Sequence, residues 1–238
     1  MKGRRIVVTG GTTGIGRAIV RSLAAQGARI VTLGRDPTAL NDMLDDVADL
    51  PGEVHGIAAD LATRAGVARL FAETDARLGG LDALISNAAL GAEPIDDMAD
   101  DDWRYVVDVN LVAAMAATRE ALSRLREGGQ VVIIGSISAE IHAPGESVYS
   151  ATKAGLRAFA ETLRKEVAGR GLRVALIEPG TVGSDMQEAS AQQQREQIEK
   201  AQMLRAEDIA DTVDFILSRP PRVDVVALRV EPRLQDLP

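Results

Sequence analysis

Tyr149 and Lys153 stand four residues apart in the run Tyr149-Ser150-Ala151-Thr152-Lys153. On a helix, that spacing puts the phenol and the ammonium on one face, one turn apart. A free tyrosine ionises near pH ~10 and carries protons poorly at neutrality. A fixed positive charge nearby favours the phenolate, and lowering the pKa by roughly three corresponds to about 4 kcal/mol of differential interaction. Tyr149 would then be a usable general acid or base. Upstream, Ser136 follows the apolar run Val131-Val132-Ile133-Ile134 and can offer a hydroxyl to a carbonyl oxygen in the same site. Two helical residues at this spacing also occur by chance, so the pair draws its weight from the chain before it.

The chain opens with a strand-like run at 4–9, then Gly10-Gly11-Thr12-Thr13-Gly14-Ile15-Gly16, then a helical stretch to about 26. Strand, glycine turn and helix together make glycine spacing meaningful. Gly10 would allow the tight turn, Gly14 the approach of backbone to a pyrophosphate, and Gly16 close packing of helix on strand. The glycines fall at intervals of four and two, unlike G-x-G-x-x-G, and a turn without a ligand is the alternative. No Lys-Ser or Lys-Thr pair follows, which excludes a Walker phosphate loop.

A second strand at 29–33 leads into Gly34-Arg35. An acidic residue here would bind the adenosine ribose of NAD, whereas an arginine accommodates the 2′-phosphate of NADP. NADP(H) is therefore preferred, with NAD(H) possible. The alternative for Arg35 is a solvated loop residue paired with Asp36. A helix is expected at 37–48 and a third strand at 53–59. Asp60 and Leu61 follow, where the carboxylate would touch adenine, cap the next helix, or both.

That helix, 63–78, ends at Gly79-Gly80, and a fourth strand at 81–85 runs into Ser86-Asn87-Ala88-Ala89. Asn87 falls at the carboxyl end of a strand, where ligands lie in open parallel sheets; a turn asparagine is the alternative. Apolar spacing predicts one long helix over 101–126, with Asn110 as an awkward interior residue and Trp103 as a core or interface residue. Gly128-Gly129 would then turn the chain into the fifth strand.

The helix at 147–168 carries Tyr149 and Lys153, and a sixth strand spans 172–177. The polar, glutamine-rich stretch 185–203 reads as a mobile lid, or else a fixed surface helix, within a substrate-lid region at about 183–205. A last helix at 207–217 and a last strand at 223–230 follow. His142 is expected to be a loop residue and His55 a structural one. Arg195 and Lys200 could receive a substrate carboxylate. Pocket specificity is expected to come from 88–95, 137–147 and the lid.

Alternating strands and helices without a linker or repeat imply a single-domain α/β fold, 1–238, with a doubly wound parallel sheet of about seven strands and helices on both faces. At 238 residues, one core is the default. Aromatics are only 3% of the chain, so the core must be built from Ala, Val, Leu and Ile. A formal net charge of −8 argues against nucleic acid or anionic membrane as partners, while leaving room for a local phosphate pocket. There are no cysteines, which excludes disulfides, thiolate metal sites and cysteine nucleophiles; no metal site is expected. No signal-peptide pattern and no membrane-length apolar run are seen, so a cytoplasmic protein is expected.

With these residues in place, the chain resembles the short-chain dehydrogenase/reductase family over essentially its whole length. The matching marks are TGGTTGIG at 9–16, Asp60, Asn87 within SNAA, Asn110, Ser136, Tyr149 with Lys153, and Pro179-Gly180. The resemblance implies a Rossmann-type nicotinamide oxidoreductase acting on a small-molecule alcohol or carbonyl. Tyr149 would exchange the proton, Ser136 orient the substrate oxygen, and Lys153 hold the nicotinamide ribose and lower the tyrosine pKa. Asn110 would support a water relay to Lys153 from an opened helix turn. The nucleotide would contact Thr9, Gly10, Thr12, Thr13, Gly14, Ile15, Gly16, Arg35, Asp60, Leu61, Asn87, Ala88, Tyr149, Lys153, Pro179, Gly180 and Val182, with 177–181 lining the nicotinamide.

Two departures stand out. Ser86 and Ala89 replace the first and last residues of the family's frequent Asn-Asn-Ala-Gly, and the C-terminus lacks the frequent Asp-Gly-Gly ending. The C-terminal segment instead looks like the NADP-dependent branch acting on serine and other 3-hydroxy acids, and like clavulanate-type aldehyde reductases. Members with this segment commonly form homotetramers; a homodimer is possible. A non-catalytic dinucleotide-binding sensor or scaffold is the alternative function.

Overall fold

The computed structural model describes residues 1–187 and 189–235. Seven parallel strands form one sheet in the order β3-β2-β1-β4-β5-β6-β7: β1 (Arg5–Thr9), β2 (Arg29–Gly34), β3 (Glu53–Ala58), β4 (Leu81–Ser86), β5 (Leu125–Ile134), β6 (Arg173–Pro179) and β7 (Ala227–Val230). The expected doubly wound architecture is thus present. Adjacent residues along the central strands point to opposite faces, and both faces are covered. Val7, Leu84, Val131 and Ile133 pack on one side with Leu70, Phe71 and Leu163. Val8, Ile85, Val132 and Ile134 pack on the other with Ile19, Leu23 and Ile209. The apolar runs of the central strands therefore lack a polar alternate because neither of their faces meets water, whereas the edge strands β3 and β7 are partly exposed.

The first layer comes from α3 (Arg64–Leu78), α4 (Asp100–Val107), α5 (Ala113–Leu122) and α6 (Ser147–Val167), and the second from α1 (Gly14–Ala25), α2 (Pro37–Val47) and α8 (Ala206–Leu217). Local chemistry sets several boundaries. Pro37 starts α2 while the Asp36 carboxylate accepts from the Thr38 N–H at 2.8 Å. Thr63, not Asp60, caps α3, its hydroxyl accepting from the Gly66 N–H at 2.9 Å.

Three expectations needed correction. The helix expected at 101–126 is α4, then a π-helical turn over Asp108–Val112, then α5, which stops at Leu122. Apolar spacing continues through the turn, so periodicity alone reads it as a uniform helix. Second, β5 begins at Leu125, before Gly128-Gly129. Leu81 pairs with Leu125 and Ala83 with Gln130, so the glycines form a bulge inside the strand. Third, β7 is only four residues long. The Arg173 guanidinium donates to the carbonyls of Arg219, Pro220 and Val223 at 2.9–3.3 Å, which holds the preceding segment as a turn.

The stretch read as a lid contains α7 (Ala191–Glu199), and Glu188 within it lies outside the described residues. The glutamines have local partners. Gln193 forms a reciprocal capping box with Ser190, and Gln194 donates to the carbonyls of Ser184 and Ala189. The base of the segment is tied down by a bridge between Val182 and Leu204 and by buried Met203.

Candidate active site

The connections of an open parallel sheet leave a crevice where the strand order reverses, here between β1 and β4 at their carboxyl ends. A cavity of about 420 Å³ lies there. Of the residues singled out from sequence, Gly10, Thr12 to Gly16, Arg35, Asp60, Leu61, Asn87, Ala88, Ser136, Tyr149, Lys153, Pro179, Gly180 and Val182 all line it. Thr9 and Asn110 stand behind its wall.

The glycine turn forms a cradle that side chains would fill. Gly10 has φ +67°, and a Cβ there would lie 2.9 Å from Ala88 Cα. A Cβ on Gly16 would lie 1.9 Å from the Gly10 carbonyl oxygen. Thr13 precedes α1 without a side-chain cap, and the first turn carries no acidic residue. The N–H groups at this helix end therefore face the cavity without a local anion, as a bound pyrophosphate requires.

The far side of the cradle is braced by polar bonds. Thr9 Oγ1 accepts from the Asn87 and Ala88 N–H groups at 2.9 and 3.0 Å, and Asn87 Nδ2 donates to the carbonyls of Thr9 and Gly10 at 3.0 and 3.1 Å. Asn87 is thus a tie between β1 and β4 and not a turn residue alone. The residues present fit a dinucleotide.

At the adenosine end, Arg35 leaves β2 exposed and does not pair with Asp36. Its Nη1 donates to the Tyr105 hydroxyl at 3.0 Å, and that hydroxyl donates to Asp60 Oδ2 at 3.0 Å. Asp60 Oδ1 accepts from the Ala62 N–H, fixing the carboxylate in the turn before α3. Tyr105, on α4, went unnoticed in the sequence. Its only signal there is a tyrosine on the helix that precedes Asn110, and nothing in the spacing ties it to Arg35.

At the nicotinamide end, α6 does place Tyr149 and Lys153 one turn apart, with Lys153 Nζ 5.4 Å from the centre of the tyrosine ring. Lys153 is buried and donates to the Ile134 carbonyl at 3.2 Å. Burial pushes its ammonium down to about 8. The expected acidification of the phenol is not what this structure gives. Burial pushes the Tyr149 phenol up, and the Ser136 hydroxyl bonded to it only partly opposes that. A spacing of four brings the lysine charge near the phenol but carries no sign of how far both groups are desolvated.

Ser136 begins a short 3₁₀ turn, its hydroxyl accepting from the Ser138 N–H at 3.1 Å. Asn110 Nδ2 donates to the Leu90 carbonyl at 2.8 Å, and its Oδ1 accepts from the Leu90 N–H at 2.7 Å. The amide is therefore occupied with the wall of the pocket, within the π-turn that makes room for it.

Of the expected nicotinamide lining 177–181, only Pro179 and Gly180 reach the cavity. Ile177 is core, Glu178 is buried against Arg157, and Thr181 turns to Gln235, whose Oε1 accepts from the Thr181 N–H at 2.9 Å. The substrate end is lined by Ala89, Leu90, Asp185, Met186 and Gln187; no described residue of 137–147 lines it. His142 is exposed and lies near the Ser138 carbonyl, while His55 contacts Glu53 on β3. Arg195 and Lys200 do not line the cavity. No helix among the described residues is long and apolar enough to cross a membrane.

A parallel sheet reversing over a glycine cradle, with serine, tyrosine and lysine converging at one end, defines a nicotinamide-dependent oxidoreductase. The chain matches the short chain dehydrogenase family model over residues 4–195 and belongs to that family. It is 31% identical to the serine 3-dehydrogenase of Agrobacterium fabrum over 234 residues, 95% of this chain and 93% of that one. It is 30% identical to the NADP-dependent 3-hydroxy acid dehydrogenase YdfG of Escherichia coli O6:H1 over 239 residues, 97% of this chain and 95% of that one. A short chain dehydrogenase from Burkholderia cenocepacia, solved in complex with NADP, superimposes with a TM-score of 0.88 at 29% identity, covering 97% of each chain.

Proposed function

We propose that the protein transfers hydride reversibly between NADP(H) and a small alcohol or carbonyl compound, a 3-hydroxy acid or an aldehyde among the candidates. The observation that carries this reading is the placement of Ser136, Tyr149 and Lys153 in the same cavity as the glycine cradle. The match to NADP-bound and NADP-dependent relatives supports the nucleotide, as does the exposed guanidinium of Arg35 at the end of β2.

When bound, the nicotinamide supplies or accepts the hydride. The chain's own part is binding and proton transfer. In reduction, Tyr149 donates its phenolic proton to the substrate oxygen, and in oxidation it takes the alcohol proton back. The Ser136 hydroxyl orients that oxygen. With its ammonium pushed down only to about 8, Lys153 is still largely protonated at neutral pH, and its charge beside the phenol favours the phenolate, opposing the burial effect. Positioned proton transfer of this kind is worth roughly a hundred- to ten-thousandfold. Asn110 holds the Leu90 wall and keeps the helix turn open beside Lys153. The segment 183–205, anchored at its base, closes over the substrate.

Exposed Val112 and Met115 on the α4–α5 rod, and Phe215 on α8, support assembly into a homotetramer, with a homodimer as the lesser form. The protein acts in the cytoplasm.

The test is loss of NADPH absorbance with a panel of aldehydes and 3-oxo acids, together with oxidation of L-serine and 3-hydroxy acids beside simple alcohols. Turnover that falls at least a hundredfold in Tyr149→Phe with nucleotide binding retained supports the reading. Nucleotide binding without turnover across the panel would instead favour a sensor.

A further inference from the structure

We propose that Tyr105 is a positioning residue that sets the preference for the 2′-phosphorylated nucleotide. It does so by holding the Arg35 guanidinium in place without neutralising it. The inference rests on the reading that Arg35 receives the 2′-phosphate.

The three groups come from three separate elements: Arg35 from the end of β2, Asp60 from the end of β3, and Tyr105 from α4. A single phenolic oxygen joins them, accepting from Arg35 Nη1 and donating to Asp60 Oδ2, each at 3.0 Å. The guanidinium also lies over the tyrosine ring, 5.5 Å from its centre. Both contacts restrict a long side chain that would otherwise sample many rotamers in solvent. Neither contact cancels its charge, and Arg35 makes no ion pair with any described residue.

The identity of the spacer matters because of the group behind it. Arg35 and Asp60 each reach the same oxygen, so they stand no more than two hydrogen-bond lengths apart. Remove that hydroxyl, and the guanidinium can swing onto the carboxylate directly. The carboxylate adds the attraction of an opposite charge to the hydrogen bond, so it would hold Arg35 against an incoming phosphate better than the uncharged phenol does. The phenol also spends its one proton on Asp60 Oδ2, muting an anion that would repel the phosphate. With the hydroxyl present, a phosphate dianion needs only to displace a neutral acceptor. A ribose lacking the 2′-phosphate gains nothing from the arrangement, so the effect discriminates between the two nucleotides.

The test measures dissociation constants of NADPH and NADH by nicotinamide fluorescence, with 2′,5′-ADP and 5′-AMP titrated by calorimetry to isolate the adenosine end. Tyr105→Phe keeps the ring and removes only the hydroxyl. It should weaken NADPH and 2′,5′-ADP by about five- to tenfold while NADH and 5′-AMP stay within about twofold. Adding Asp60→Asn to Tyr105→Phe should recover most of the lost NADPH affinity, because the competing carboxylate is gone. Equal weakening of both nucleotides, no change in either, or no recovery in the double variant would overturn the proposal. Arg35→Ala separates the underlying reading: if it weakens NADPH and NADH equally, the phosphate assignment itself fails, whatever Tyr105 does.

Discussion

Asn110 grips Leu90 as one strand grips another, its amide donating to the Leu90 carbonyl at 2.8 Å and accepting from the Leu90 N–H at 2.7 Å. Asn110 is fully buried, and Leu90 lines the cavity. The helix opens into a π-turn at this point, so a polar side chain that would be a poor interior helix residue becomes the fastening of the pocket wall.

Replacing Asn110 with Ala leaves both backbone groups of Leu90 without these partners. A loss of about 2–4 kcal/mol is expected, together with reduced turnover as the wall loosens. Urea unfolding and steady-state kinetics on the same preparation check this, and an unchanged midpoint would mean that water replaces the amide freely.

Lys153 makes a sign-definite prediction. Its ammonium is pushed down from 10.5 to about 8 by burial. Below pH 8 it is protonated both folded and unfolded, so the folded state bears the full cost of burying the charge. Between pH 8 and 10.5 the unfolded chain binds more protons, so stability rises with pH across that window. The full shift corresponds to about 3 kcal/mol. Without added nucleotide, Lys153→Met should therefore unfold at higher denaturant than the parent at pH 7 and lose most of the rise between pH 7 and 9.5. Staying below pH 10 avoids the Tyr149 phenol, whose raised pKa has the opposite effect: its stabilisation is present below its unfolded pKa near ~10 and lost as pH climbs through the folded value. A flat parent profile would refute the buried cation.

Gly16→Ala should be severe in a way that Gly→Ala in an open helix is not. The added carbon meets backbone at 1.9 Å and Asn87 Nδ2 at 2.6 Å, so the turn itself must shift. We expect a loss of more than about 2 kcal/mol, and NADPH binding abolished in whatever folds. Thermal unfolding with and without NADPH reads both, and retained nucleotide stabilisation would show that the cradle tolerates the shift.

For the lid, hydrogen exchange over 185–203 should slow only when nucleotide and substrate are both present. The glutamine contacts of α7 with Ser184 and Ala189 are local, whereas Val182 and Leu204 anchor the base in either case. Equally slow exchange in the protein alone would mean a fixed surface helix.

The sequence by itself determined the sheet and the cradle. Strands buried on both faces read as unbroken apolar runs, and a glycine turn between strand and helix is visible as spacing, so β1 to β6, the 10–16 loop and the Tyr149–Lys153 pair were all legible. These features depend on residues near one another in the chain, where periodicity and steric rules act. Only the tertiary structure decided the rest. Within the π-turn, Asn110 takes its partners from Leu90, twenty residues away, and helical periodicity carries no trace of that. The short β7 reflects a guanidinium from β6 that gathers carbonyls of a distant turn. Arg35 meets Tyr105 rather than its neighbour Asp36, since the end of β2 and the start of the long helix rod are brought together by the order of the sheet. The direction of the Tyr149 and Lys153 pKa shifts also waited on the fold. Spacing reveals which charges are close, but desolvation depends on what every other element packs around them.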